Sequence, residues 1–413
     1  MMTNLKPRWI FLVLCSLLLA GCSWFTWLPW VDGDEEVDPS EPAELVDFDA
    51  EIDIKRLWKG GIGQGLGKKY LRLTPVIVAE RIIAADAYGL VEARDRFSGK
   101  LIWRTEIGSV DGGWFSSFDI LDRRDPSFVT GGVGVGGGRV FLGTTEGEVI
   151  ALDVADGAEI WRADLKSEVL AAPTAARELV FAQTIDGRLV AMDLDSGESK
   201  WFYDNQLPIL TLRGTSAPVV ENDIVYTGFA NGKVLALRAE NGEPIWEHRV
   251  MLPEGRSELD RMVDVDTTPL LSGANVFVGA YQGRVKALSR RDGRPRWEQE
   301  ISTYLNLSTG YSQVYTIDEG DVITALNADS GEVVWVQEDF KNRRLSSPIA
   351  FSNYLAFGDE EGYLHVIAQR DGRHLARRKI DRKGVRSGLI VADGTLFVMG
   401  NSGSLQALNL ELK

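Results

Sequence analysis

Along most of this chain, short apolar runs alternate position by position with polar residues and are broken by glycine, proline, aspartate or asparagine. Residues 147–153, GEVIALD, show the period of two that a strand packed on a sheet face requires. VADG at 154–157 follows, with a glycine that takes positive φ at little cost, and AEIW at 158–161 is the partner strand of a hairpin. Nearly the same text returns as DGRLVAMDLDSGESKW at 186–201 and NGKVLALRAENGEPIW at 231–246. A catalytic motif is normally written once, so this repetition predicts scaffold.

Aligned on G-x-x-x-A-x-x-x-x-x-G-x-x-x-W, the register starts at Gly89, Gly147, Gly187, Gly232, Gly283, Asp321, Gly362 and Gly403. Its closing tryptophans are Trp103, Trp161, Trp201, Trp246, Trp297 and Trp335, with Ala376 in the seventh position. Spacings run from 38 residues (Gly283 to Asp321) to 58 (Gly89 to Gly147), the range of propeller repeats that each form one small sheet. Two further strand-like runs precede each hairpin, as in TPVIV (74–78) then RIIAAD, and TPLLS (268–272) then NVFVGA, giving four strands per unit. The eighth unit stops at Lys413 without a tryptophan strand, while Lys55-Arg56-Leu57-Trp58 is a tryptophan strand without a preceding hairpin half. The fold expected is therefore all-β: an eight-bladed β-propeller over 54–413, closed by the N-terminal strand completing the last blade. Seven blades follow only if one weak unit is an insertion.

Composition narrows the chemistry. The 413 residues carry a formal charge of −15, which repels phosphate backbones and argues against a nucleic-acid partner. Both cysteines, Cys15 and Cys22, lie in the first 22 residues, and the histidines are His248, His365 and His374, so a cysteine- or histidine-built metal centre has almost no ligands to draw on. Gly132, Gly134 and Gly137 match G-x-G-x-x-G, but they fall inside a blade, where turn chemistry explains them better than a dinucleotide site. GGIGQGLGKK at 60–69 lacks the ending of a phosphate loop and reads as a mobile link into the first blade.

The N-terminus predicts export. Lys6 and Arg8 precede an apolar run from Trp9 to Ala20, shorter than a membrane span, that ends in Leu19-Ala20-Gly21-Cys22. This resembles the bacterial lipobox, implying a signal peptide over 1–21 and a diacylglycerol on Cys22. Ser23 stands where that family's inner-membrane retention signal has aspartate, which implies the outer membrane. Asp32 to Asp53 holds eleven acidic residues and no basic one, so 22–53 reads as a lipidated N-terminus and acidic flexible tether.

The repeats resemble the PQQ-type repeat, with its A-x-D-x-x-T-G-x-x-x-W signature. Quinoprotein alcohol dehydrogenases are rings of this repeat, but their adjacent-cysteine disulfide has no counterpart here and no Asp/Glu/Asn grouping is assignable to calcium. No enzyme activity, cofactor or metal is expected, and a quinoprotein-like dehydrogenase is the remote alternative.

Function is then to be sought where repeats differ. LTLRGTSAP at 210–218 and RMVDVDTTP at 261–269 both connect an outer strand to the next blade, so in adjacent blades they emerge side by side on one face. Leu210 and Leu212 are expected as exposed anchors, with a packed strand start as the alternative, and Arg213, Asp264 and Asp266 as a charged rim. With these two motifs the chain resembles the BamB family, propeller lipoproteins of the outer-membrane β-barrel assembly machinery. That resemblance implies a periplasm-facing scaffold that binds the periplasmic domains of BamA through Leu210, Leu212 and Arg213, with Asp264 and Asp266 contacting BamA or positioning the arginine. Through BamA it would join the other lipoproteins of that machinery. A second reading is a chaperone-like ring that receives unfolded outer-membrane strands by β-augmentation.

Overall fold

The hairpin read from 147–161 is present, as Glu148–Asp153 paired with Glu159–Asp164. The fold is that of a computed structural model, which describes residues 40–67, 71–108, 127–208, 210–212, 214–252, 256–257, 259 and 262–413. Cys22 with its leader, and Arg213, lie outside the described residues. Pro42–Lys413 form one compact unit.

Thirty-two strands, numbered β1–β32 in chain order, make eight four-stranded antiparallel sheets arranged as an eight-bladed propeller, with no helix among the described residues. Blades one to seven each use four consecutive strands, from β2 (Val76–Val78) to β29 (His374–Lys379). Blade eight combines β30 (Ile390–Ala392), β31 (Thr395–Met399) and β32 (Ser404–Leu412) with β1 (Ile52–Gly61) as its outer strand, as expected. β1 begins at Ile52, inside the segment read as tether. The remainder of that segment from Ala43 lies against blade seven: Ala43 N–H donates to Lys341 O at 2.8 Å, Arg343 and Arg377 donate to Ala43 O and Val46 O, and Phe48 stacks on His374.

The tryptophans explain the repeat. Each lies across the turn glycine of the next blade, Trp58 on Gly99 and so on round to Trp335 on Gly372. Each also donates its indole N–H to a backbone carbonyl there, as Trp161 does to Leu194 O at 2.9 Å and Trp335 to Gln369 O at 2.9 Å. The side chain wedges neighbouring sheets apart while its one polar atom is satisfied.

Two glycine runs differ from expectation. Of the three glycines read as turn residues, Gly132 and Gly134 belong to strand β6 (Val129–Gly136), the inner strand of blade two, whereas Gly137 stands in the turn that follows it, at φ 55°. A Cβ on Gly134 would lie 1.9 Å from Pro173 O, so glycine is what lets this strand press against the chain entering blade three. The link after Trp58 is pinned as far as Gly67: Ile62 and Leu66 are fully buried, with Ile62 N–H on Gly403 O and Leu66 N–H on Asn401 O.

Candidate functional site

The connection after β13 (Ser199–Asp204) carries Leu210 and Leu212, and the connection after β17 (Pro244–Arg249) carries Asp264 and Asp266. The structure brings the two together. Leu212 donates its backbone N–H to Asp264 Oδ2, and Ser216 Oγ donates to Thr267 O at 3.0 Å. A Cβ on Gly214 would lie 2.4 Å from Asp266 Oδ2, so the 210–216 segment rests on the Asp266 carboxylate at a distance only glycine permits. Asp264 is itself fixed by a bridge to Tyr281 of blade five, whose N–H donates to Asp264 O at 2.9 Å.

The two carboxylates are therefore not the exposed rim that the sequence suggested. Asp264 is fully buried and Asp266 half-buried, with each Oδ1 shut away from solvent. Asp264 holds Leu212 through its backbone N–H and Asp266 stands against Gly214, while Leu210 is exposed and Leu212 half-exposed. Burial pushes the Asp264 carboxyl up to about 6, against the lowering effect of the Leu212 N–H. Burial and the neighbouring Asp264 push Asp266 up to about 7, and the Arg72 guanidinium works the other way.

Arg72 is a participant that the repeat pattern did not single out. It stands in the connection entering blade one, yet Nη1 donates to Tyr304 O at 3.0 Å and the guanidinium lies 5.1 Å from the Tyr304 ring centroid. Tyr304 belongs to the connection entering blade six, so this contact crosses the centre of the ring. Gly214 was the other omission; its signal was available, since a glycine directly after Arg213 in a non-turn context asks what backbone or side chain it approaches.

The model of the outer membrane protein assembly factor BamB matches residues 87–337 and 318–412. Proteins of that name from Salmonella typhimurium and Pseudomonas aeruginosa are 35% identical over 396 residues (96% of this chain, 97% of theirs) and 38% identical over 369 residues (89% and 92%). The chain belongs to the BamB family. Among solved structures, BamB from Moraxella catarrhalis superposes with a TM-score of 0.76 at 26% identity, covering 86% of this chain and all of that one. The quinohemoprotein alcohol dehydrogenase of Comamonas testosteroni also superposes, with a TM-score of 0.68 at 14% identity over 86% of this chain and 76% of that one, a likeness of fold alone. Among the described residues no group of three or more His, Cys, Asp or Glu side chains is placed to hold a metal ion. Members of the BamB family are assembly factors of the outer membrane, which associates this chain with that membrane and with the assembly complex.

Proposed function

We propose that this chain is a non-enzymatic lipoprotein scaffold, anchored through Cys22 at the periplasmic face of the outer membrane and docked on the periplasmic domains of BamA. Leu210, Leu212 and Arg213 are its contact residues, and Asp264 and Asp266 hold them in place from below. Through BamA it joins the other lipoproteins of the machinery and promotes folding and insertion of outer-membrane proteins. The observation that carries this reading is the seating of one connection on the other, through Leu212 N–H on Asp264 and Gly214 on Asp266. A surface loop tied down by two buried carboxylates from the next blade is pre-shaped, so little ordering entropy is lost when a partner covers it. Relatives named for assembly rather than for a reaction support the non-catalytic role.

Leu210→Asp with Leu212→Asp tests the assignment, because both changes put charge on the apolar anchors. Co-purification of BamA from detergent extract is expected to disappear while the thermal midpoint stays near that of the native chain. BamA recovered in full with the doubly substituted protein would remove these leucines from the interface. For the anchor, Cys22→Ala is expected to move the protein from the detergent phase to the aqueous phase, and unchanged partitioning would contradict lipidation.

A further inference from the structure

Cations of this ring are commonly matched by carboxylates on a neighbouring strand, as Arg162 is by Glu148 at 2.7 Å and Lys233 by Glu247 at 2.8 Å. The junction of blades seven and eight departs from that rule. Residues 377–386, from the end of β29 into the connection to blade eight, read RRKIDRKGVR, six basic residues and one acidic. Arg377 and Arg378 are engaged within the chain, donating to Val46 O and Ile54 O. Asp381 is buried and accepts from Lys383 N–H at 2.7 Å and from Ser402 Oγ. Lys379, Arg382 and Lys383 are exposed, and no carboxylate among the described residues pairs with their side chains; Lys379 Nζ lies instead 4.2 Å from the centroid of the Tyr363 ring.

Lys59 of β1 is a fourth exposed cation with no carboxylate partner among the described residues. It stands opposite Gln406 of β32, so both side chains share one face of blade eight. Gln406 Nε2 donates to Ile380 O at 2.9 Å, which sets that face against the connection carrying Arg382 and Lys383. Asn401 ties the same backbones together: its Nδ2 donates to Lys383 O at 2.7 Å, and its own carbonyl accepts from Leu66 N–H at 3.0 Å. The four cations therefore stand on a fixed frame.

Both β29 and β1 end on the face where connections run to the next blade, on the opposite side of the ring from Leu210 and Leu212. The chain enters the ring on that face too, since Ala43 N–H donates to Lys341 O at 2.8 Å in the connection entering blade seven. Twenty-one residues, 22 to 42, separate this point from the anchor at Cys22, a reach of at most about 75 Å when fully extended.

We propose that the junction of blades seven and eight rests on the anionic headgroups of the bilayer that holds the lipid anchor, with Lys59, Lys379, Arg382 and Lys383 as the contacts. Charge complementarity selects that occupant: four cations left unmatched in a chain of net charge −15 meet a phosphate surface without breaking an internal ion pair. The position of Ala43 brings the same edge within reach, because blade seven is the part of the ring nearest to Cys22 along the chain. Leu210 and Leu212 stay free for BamA on the other side. The inference rests on the lipid-anchor reading above and adds to it the orientation of the ring on the membrane.

The probe is a vesicle of phosphatidylethanolamine and phosphatidylglycerol at about three to one, compared with a vesicle of phosphatidylcholine alone. The full chain is inserted into each through its native lipid, and lysine acetylation is followed residue by residue by mass spectrometry. Lys59, Lys379 and Lys383 are expected to react about fivefold more slowly on the anionic vesicles than on the neutral ones. Lys100, exposed in the hairpin turn of blade one on the opposite face, is expected to react alike on both. The slowing is expected to vanish in about 1 M salt, where the screening length falls to about 3 Å. It is also expected to vanish with Arg382→Glu, which reverses one charge of the patch and leaves every reporting lysine in place. Equal rates on the two vesicles, equal slowing at Lys100, or equally slow reaction of the chain without vesicles would overturn the proposal. Loss of BamA co-purification by Arg382→Glu would identify the patch as a contact with that protein and contradict the assignment. A second preparation, in which the Cys22 thiol of the processed but unlipidated chain is coupled to a maleimide-bearing lipid, gives the same readout independently of native lipidation. A native chain found without lipid would thus contradict the anchor reading alone, while the coupled chain still decides this one.

Discussion

Asp266 shows how one carboxylate can serve a surface it scarcely reaches. Burial raises its carboxyl to about 7 and that of Asp264 to about 6, well above the range near 4 expected in an unfolded chain. The folded form therefore retains protons that the unfolded form releases, so this contribution to stability is complete below about pH 4 and is lost as pH rises toward 7. On acidification from pH 7 to 5, the thermal midpoint of the native chain is expected to rise relative to that of Asp266→Asn; parallel profiles for the two proteins would contradict the raised values. Gly214 makes the complementary case. A Cβ there would stand 2.4 Å from Asp266 Oδ2, so Gly214→Ala must lift the segment or displace the carboxylate. Weaker BamA co-purification is expected with a shift in thermal midpoint of only ~2–4 °C, and native recovery would show that loop shape does not matter.

At the scale of the element, the missing tryptophan at Ala376 has a physical cause. Every wedge lies on the hairpin turn joining the two outer strands of the next blade, and blade eight has no such turn, because β32 and β1 come from opposite ends of the chain. Ile52 and Ile54 of β1 pack in the cluster around Ala376 instead. Trp297→Ala is thus expected to cost about 3–5 kcal/mol in chemical denaturation, the usual penalty for removing a buried tryptophan, whereas Ala376→Trp should bring no gain. Stabilisation by Ala376→Trp would contradict this reading of the gap. The strands and turns were legible because a period of two and a repeated glycine are local signals. The turn expected of the glycine run in blade two is present at Gly137, but Gly132 and Gly134 were misread with it, since Gly134 is required by Pro173 in the following connection rather than by its own backbone.

For the whole molecule, the blade count and the closure by β1 could be read from two incomplete repeats at the chain ends, which fit only each other. The neighbouring positions of the connections carrying Leu212 and Asp264 also followed from the repeat register. What could not be read was depth. Nothing in RMVDVDTTP distinguishes an exposed Asp264 from a buried one, and only the folded ring brings Leu212 N–H to it. Arg72 was equally hidden, because its contact with Tyr304 joins connections of blades that are far apart in the sequence. The central claim is that this face of blades three to five holds BamA through the connection around Arg213. Because Asp264 is buried, reversing its charge would disturb the fold, so the direct measurement is co-purification of BamA with Arg213→Glu. The expected result is loss of BamA with an unchanged thermal midpoint and an unchanged outer-membrane fraction. Native recovery of BamA by a correctly folded Arg213→Glu protein would contradict the account.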